Sequence, residues 1–123
     1  MLLSILHLLV LGCLLTYQGR EIPCEAKLLL EHDETELHIT GYCRSQSSQP
    51  ASYRYELQVA KRSRGGQATS RQSGEFEVMP GQTVRLSHVA VNAGSAYTGQ
   101  LRIYTRAGVL LARDSVGQTT PTP

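Results

Sequence analysis

From Cys24 onward the chain alternates apolar and polar residues in short runs separated by turn-forming residues, with no long stretch at the helical period. Such runs predict strands, because successive side chains of a strand point to opposite faces. The clearest run puts Tyr53, Tyr55, Leu57 and Val59 on one face and Arg54, Glu56, Gln58 and Ala60 on the other. A hairpin precedes it, with strands over Cys24 to Leu30 and Glu36 to Cys43 and a turn at Asp33-Glu34. That register sets Cys24 opposite Cys43. It gives Ala26, Leu28, Leu30, Leu37, Ile39 and Gly41 the cysteines' face and leaves Glu25, Lys27, Glu36, His38 and Thr40 on the other.

Lys61-Arg62-Ser63-Arg64-Gly65-Gly66 ends the third strand in a basic turn. Polar Gln67 to Gln72 reads as a weak edge strand or an extended loop, and Glu75 to Met79 as a strand with Phe76 and Val78 inward. Pro80-Gly81 then turns the chain into Thr83 to Val91. There Val84 and Leu86 share one parity while Val89 and Val91 share the other, which predicts a bulge near Ser87-His88. Ala96 to Thr105 sets Tyr97, Gly99, Leu101 and Ile103 against Gln100, Arg102 and Tyr104. The last strand runs from Val109 to about Val116, and its continuous Val109-Leu110-Leu111 leaves the parity open. About seven strands in roughly 95 residues predict an all-β, immunoglobulin-like antiparallel sandwich of the fibronectin III-like kind.

The 123 residues amount to one domain. The apolar run Met1 to Leu15 is too short for a membrane span of roughly 20 residues and reads as the core of a secretory signal over residues 1–19. The folded domain is expected over residues 20–116, with a disordered polar tail over 117–123, in a periplasmic protein without stable membrane association. Val10-Leu11-Gly12-Cys13 faintly matches a lipoprotein box, but Leu11 stands where a small residue is usual and Leu14-Leu15 continues the apolar run. Removing the signal leaves Cys24 and Cys43 in a disulfide-permissive compartment. A bridge between them would stabilise by roughly 3 kcal/mol. The competing reading, a redox-active thiol pair, lacks the close C-x-x-C spacing that tunes a reactive thiolate.

No catalytic constellation is present in the sequence: it has no nucleophile elbow, metalloprotease helix, phosphate-cradling loop or paired-cysteine zinc motif. The chain is therefore expected to be no enzyme and to carry no cofactor or metal. The nearest metal candidate, His32-Asp33-Glu34-Thr35-Glu36-Leu37-His38, is expected to fail, because His32 lies at the turn and His38 on the outer face. His88 reads as a bulge residue.

Charge changes the picture more. From Leu37 to Arg113 ten basic residues face three acidic ones, whereas acidic residues dominate from Arg20 to Glu36. Arg54 and Arg102 are expected on the solvent faces of neighbouring strands, with Lys61, Arg62, Arg64 and Arg71 around the following turn and edge. The plain reading of this patch is a solubilising surface with a charge-protected edge. The sharper reading is a docking surface for an acidic partner. Nucleic acid is excluded as a partner by export and by the scarcity of stacking aromatics around the turn.

Several segments carry a family resemblance: Tyr53-Arg54-Tyr55-Glu56-Leu57, the basic Gly-Gly turn, Gln72-Ser73-Gly74-Glu75-Phe76, Pro80-Gly81 followed by Val84 and Leu86, and Leu101-Arg102-Ile103. In this order and spacing, over about Cys24 to Val116, they resemble the CsgH branch of the CsgC-like curli assembly chaperones. The resemblance implies a monomeric periplasmic protein that keeps a curli-type amyloid subunit from polymerising early, through transient, electrostatically guided contacts. Arg54, Lys61, Arg62, Arg64, Arg71 and Arg102 would then be the client contacts. The C-x-C pair of the CsgC branch is missing here, which weakens any redox role. The alternative is an exported structural or adhesive module of a cell-surface assembly.

Overall fold

Asp33 shapes the first turn. Its Oδ1 accepts the main-chain N–H groups of Thr35 at 2.9 Å and Glu36 at 2.7 Å, and the Asp33 N–H closes the turn on the Glu36 carbonyl at 2.9 Å. Side chains of this kind hold a tight turn by replacing backbone partners. The computed structural model describes residues 22–118, so the signal, Cys13 and most of the tail lie outside the described residues.

Seven strands follow in chain order: β1 (Cys24–His32), β2 (Glu36–Ser45), β3 (Ala51–Ser63), β4 (Gly66–Val78), β5 (Thr83–Asn92), β6 (Ala96–Thr105) and β7 (Leu110–Gln118). All pairings are antiparallel, in a three-stranded sheet of order β1-β2-β5 and a four-stranded sheet of order β4-β3-β6-β7. This is the expected immunoglobulin-like sandwich, with the fourth strand on the larger sheet.

The core forms where the inward parities of the two sheets meet. Ile39 and Cys43 from β2 pack with Leu57 and Val59 from β3, Val78 from β4, and Leu101 and Ile103 from β6, all fully or nearly fully buried. Each large aliphatic side chain buried this way contributes about 1.5–3 kcal/mol. Gly99 makes room for the packing of β6 on β7: a Cβ there would lie 3.0 Å from Val116 Cγ2.

The structure corrects two sequence expectations and sharpens two others. The first hairpin pairs Ala26 with Cys43 and Cys24 with Ser45, two residues from the expected register, because the Asp33 cap centres the turn on Glu34-Thr35. The shift is even, so every side chain keeps its predicted face. Second, the weak edge segment and the Glu75 strand are one continuous 13-residue strand, β4, paired with β3 from Ser63↔Gly66 to Ala51↔Val78. Its first half looked weak because its inward positions carry the small residues Ala68 and Ser70, the first exposed and the second half-buried at the end of the sheet.

Third, the bulge expected near Ser87-His88 is present, at the adjacent Leu86: Gly41 pairs with Ser87 and Tyr42 with Arg85, so Leu86 is the extra residue that puts Val84, Val89 and Val91 all on the inner face of the sheet. Fourth, a matching bulge at Leu111 settles the parity of β7, where Ile103 pairs with Ala112 and Tyr104 with Leu110. β7 also continues through Gly117 and Gln118, residues assigned to the tail.

Candidate functional site

Strand alternation and the observed pairings define the outer face of the four-stranded sheet. Arg54, Glu56, Gln58 and Arg62 of β3 point outward, flanked by Arg71, Ser73 and Glu75 of β4 and by Gln100, Arg102 and Tyr104 of β6. One transverse row reads Ser73, Glu56, Arg102, Arg113, and the next reads Arg71, Gln58, Gln100, Ser115. Four of the six predicted cations, Arg54, Arg62, Arg71 and Arg102, therefore share one face. Arg64 stands exposed at the β3–β4 turn beside them, where Gly66 takes a φ of 119° that other residues rarely adopt.

Lys61 is the exception. It has the parity of Leu57 and Val59, pairs with Ala68 and Tyr97, and so projects to the opposite side at the end of the sheet. Arg113 was missed, although it lies directly across from Arg102; the open parity of the last strand concealed it. A second cationic group was also missed, on the outer face of the three-stranded sheet. Tyr42 there is flanked by Lys27 and Arg85, with Arg44 next along β2. Lys27, Tyr42 and Arg44, together with Glu25, line a groove of about 310 Å³.

Carboxylates interrupt the large basic face. Arg102 Nη1 lies 3.8 Å from Glu56 Oε1, and Arg102 Nη2 donates to Gln100 Oε1 at 2.9 Å. Glu75 is opposite Arg54 and also 3.9 Å from Arg106 Nη2. The Arg62 guanidinium is held by Gln67, whose amide oxygen, once turned toward it, accepts from Nη2 at 2.6 Å and from Nε at 3.0 Å. Arg71 pairs across strands with uncharged Gln58. The positive excess is thus greatest at the Arg62–Arg64–Arg71 end.

The other expected sites are altered. Cys24 and Cys43 are both fully buried on the inner face of the small sheet, and both are free thiols, so the expected bridge is not formed in this structure. They lie diagonally across the β1–β2 ladder. The Cys43 S–H donates to Cys24 and holds the Cys24 thiol below its ordinary range, while that same bond, together with burial, pushes the Cys43 thiol up.

His32 takes no part in the acidic and histidine-rich turn. Donor atoms of Asp33, Glu36 and His38 instead converge within 4.8 Å. His38 Nε2 meets Asp33 Oδ2 at 2.9 Å, and His38 Nδ1 meets His88 Nε2 at 2.9 Å, with the two rings stacked at 5.0 Å. With the carboxylate accepting from Nε2–H, His38 and His88 form a surface hydrogen-bond chain anchored at the turn.

No protein-family profile matches the sequence, and no curated protein matches it. Its fold does match solved structures. CsgH of R. palustris superposes with a TM-score of 0.61 at 16% identity, over 76% of this chain and 91% of that one. The E. coli curli protein CsgC superposes with a TM-score of 0.63 at 10% identity, over 75% of this chain and 96% of that one. The chain has a CsgC/CsgH-like fold. The sandwich also matches half of Spo0M, a sporulation control protein from Bacillus subtilis, with a TM-score of 0.53 at 13% identity over 82% of this chain and 50% of that one. The family expected from the sequence is thus met at the level of architecture.

Proposed function

We propose that this protein is an exported curli-type chaperone that works in the periplasm and delays polymerisation of an amyloid subunit through transient contacts guided by charge. The observation that carries the reading is the gathering of Arg54, Arg62, Arg71, Arg102 and Arg113 on the outer face of the four-stranded sheet, in a CsgC/CsgH-like fold. A rigid sheet holds these guanidinium groups at fixed spacing, so an acidic chain meets an ordered array without loss of loop entropy. Attraction of this kind mainly speeds encounter and falls with salt.

A fibrillation assay with a purified curli subunit tests the reading. Substoichiometric protein should lengthen the lag phase, and the effect should shrink as salt rises. Charge reversal at Arg54, Arg62, Arg71 and Arg102 should abolish most of it, whereas Lys61→Glu, on the other side of the sheet, should change it little. An unchanged lag time at low salt with the wild-type protein would rule the chaperone role out.

A structural module is the second reading. It is favoured by the recurrence of the same sandwich inside longer chains, such as a Bacteroides uniformis β-glucuronidase of which it covers 14%, with a TM-score of 0.55 at 10% identity over 80% of this chain. Stoichiometric incorporation into a surface polymer would support that reading against the first.

A further inference from the structure

An antiparallel sandwich has four edge strands, and here they are unequally protected. On one side, Asp114 of β7 reaches across to β1 and accepts the Leu28 main-chain N–H at 2.8 Å. On the other, Gln72 of β4 reaches across to β5 and donates to the His88 main-chain carbonyl at 3.2 Å. Each edge of the small sheet therefore has a backbone group engaged by a side chain of the large one. β5 is further broken by the Leu86 bulge, and β7 by the Leu111 bulge.

β4 differs from all three. It is 13 residues long, paired among the described residues with β3 alone, and its ladder with β3 runs without a register shift from one end to the other. It contains no Pro and no Lys, two residues that commonly guard an exposed edge. Tyr55 lies over Gly74, where a Cβ would meet its ring at 3.1 Å, and edge-on packing of Tyr53 and Phe76 at 5.9 Å fixes β4 to β3, so the edge is rigid. The half of β4 nearest its turn carries Arg71 and lies beside Arg62 and Arg64.

We infer that the free edge of β4 pairs with an extended, acidic polypeptide strand, which adds to the large sheet as a fifth strand with its carboxylates beside Arg62 and Arg71. Main-chain bonding supplies the contact and the arginines select the charge of the partner. The inference rests on the chaperone reading and gives it a mechanism. A strand paired with β4 has β3 behind it, already paired on both sides, so a growing cross-β assembly that docks here finds no further edge in that direction. One docked protein would then stop one growing end, which suits action below stoichiometry.

The test uses the exported domain and a synthetic strand-length peptide with Asp or Glu at alternate positions. Amide NMR should show shifts and slowed hydrogen exchange along Gln67 to Ser73, with β1, β5 and β7 amides unchanged. A second peptide of identical charge, N-methylated at alternate backbone amides, should bind about tenfold or more weakly, since several hydrogen bonds are removed and the charges are not. Arg71→Glu should weaken the unmodified peptide, with the fold verified by circular dichroism.

Equal binding of both peptides would overturn the inference, as would shifts confined to outward side chains of β3 and β6. Protection of β4 amides that grows with protein concentration and without peptide would make a second copy the occupant and overturn it too. Each of these results leaves fibrillation inhibition to be read separately, so a failure of strand pairing is distinguishable from a failure of the chaperone role.

Discussion

Asp114 of β7 accepts the main-chain N–H of Leu28 of β1 at 2.8 Å, across the narrow side of the sandwich. Asp114 shares the parity of its partner Leu101, so a carboxylate occupies an inward position of β7 to satisfy an edge donor of the opposite sheet. Replacing it with Ala leaves that donor without its charged acceptor. Asp114→Ala should cost about 1.5–3 kcal/mol, the range for hydrogen bonds to charged groups. Urea denaturation measures the loss, and faster exchange of the Leu28 amide locates it.

The Asp33 carboxyl is held well below its ordinary range, first by the His38 hydrogen bond and then by the N–H groups of Thr35 and Glu36. A carboxyl depressed on folding contributes stability that is complete above its unfolded value, about 3.9, and is lost as pH falls below it toward the folded value. Asp33→Ala should therefore make the acid limb of a stability–pH profile shallower below about pH 4. An unchanged acid limb would show that the cap carries no linkage.

Gly99 sits where a Cβ would come within 3.0 Å of Val116 Cγ2 on the adjacent strand. Gly99→Ala should destabilise by about 1–3 kcal/mol, the usual cost of overpacking. Combining it with Val116→Ala should recover part of the loss, as contacting sites couple. Full additivity in a double-mutant cycle would count against the steric account.

Arg102 and Glu56 form an exposed pair at 3.8 Å, worth little to stability. Arg102→Glu should change the unfolding free energy by about 0.5 kcal/mol or less, and surface substitutions of this sort seldom do more. Loss of client delay without loss of stability, measured on the same variant, would separate the role of this face in binding from any role in folding.

Much of this fold is legible in the alternation alone. Tyr53 to Val59 and Tyr97 to Ile103 announce the two central strands because both their faces have a definite environment. What period-two reading misses is any event that changes the count by one or two. The Asp33 cap moved a register by two residues without changing a single face. Leu86 and Leu111 each absorbed one residue, and only the first left a parity break in the sequence. The basic face was legible for Arg54 and Arg102, which lie on strongly patterned strands. Lys61 was misplaced because it reads as the first residue of a basic turn, whereas β3 runs on to Ser63 and gives Lys61 and Arg62 opposite faces. The Asp33–His38–His88 chain depends on β5 lying beside β2, a neighbour relation that no local pattern announces.

Both sulfurs of the cysteine pair lie sealed from solvent between the sheets. An oxidant meets these thiols more readily before the two sheets close than after, so the choice between two thiols and one covalent link falls mainly during assembly. A chain finished under oxidant and one finished without it would differ at this buried point while presenting the same exterior.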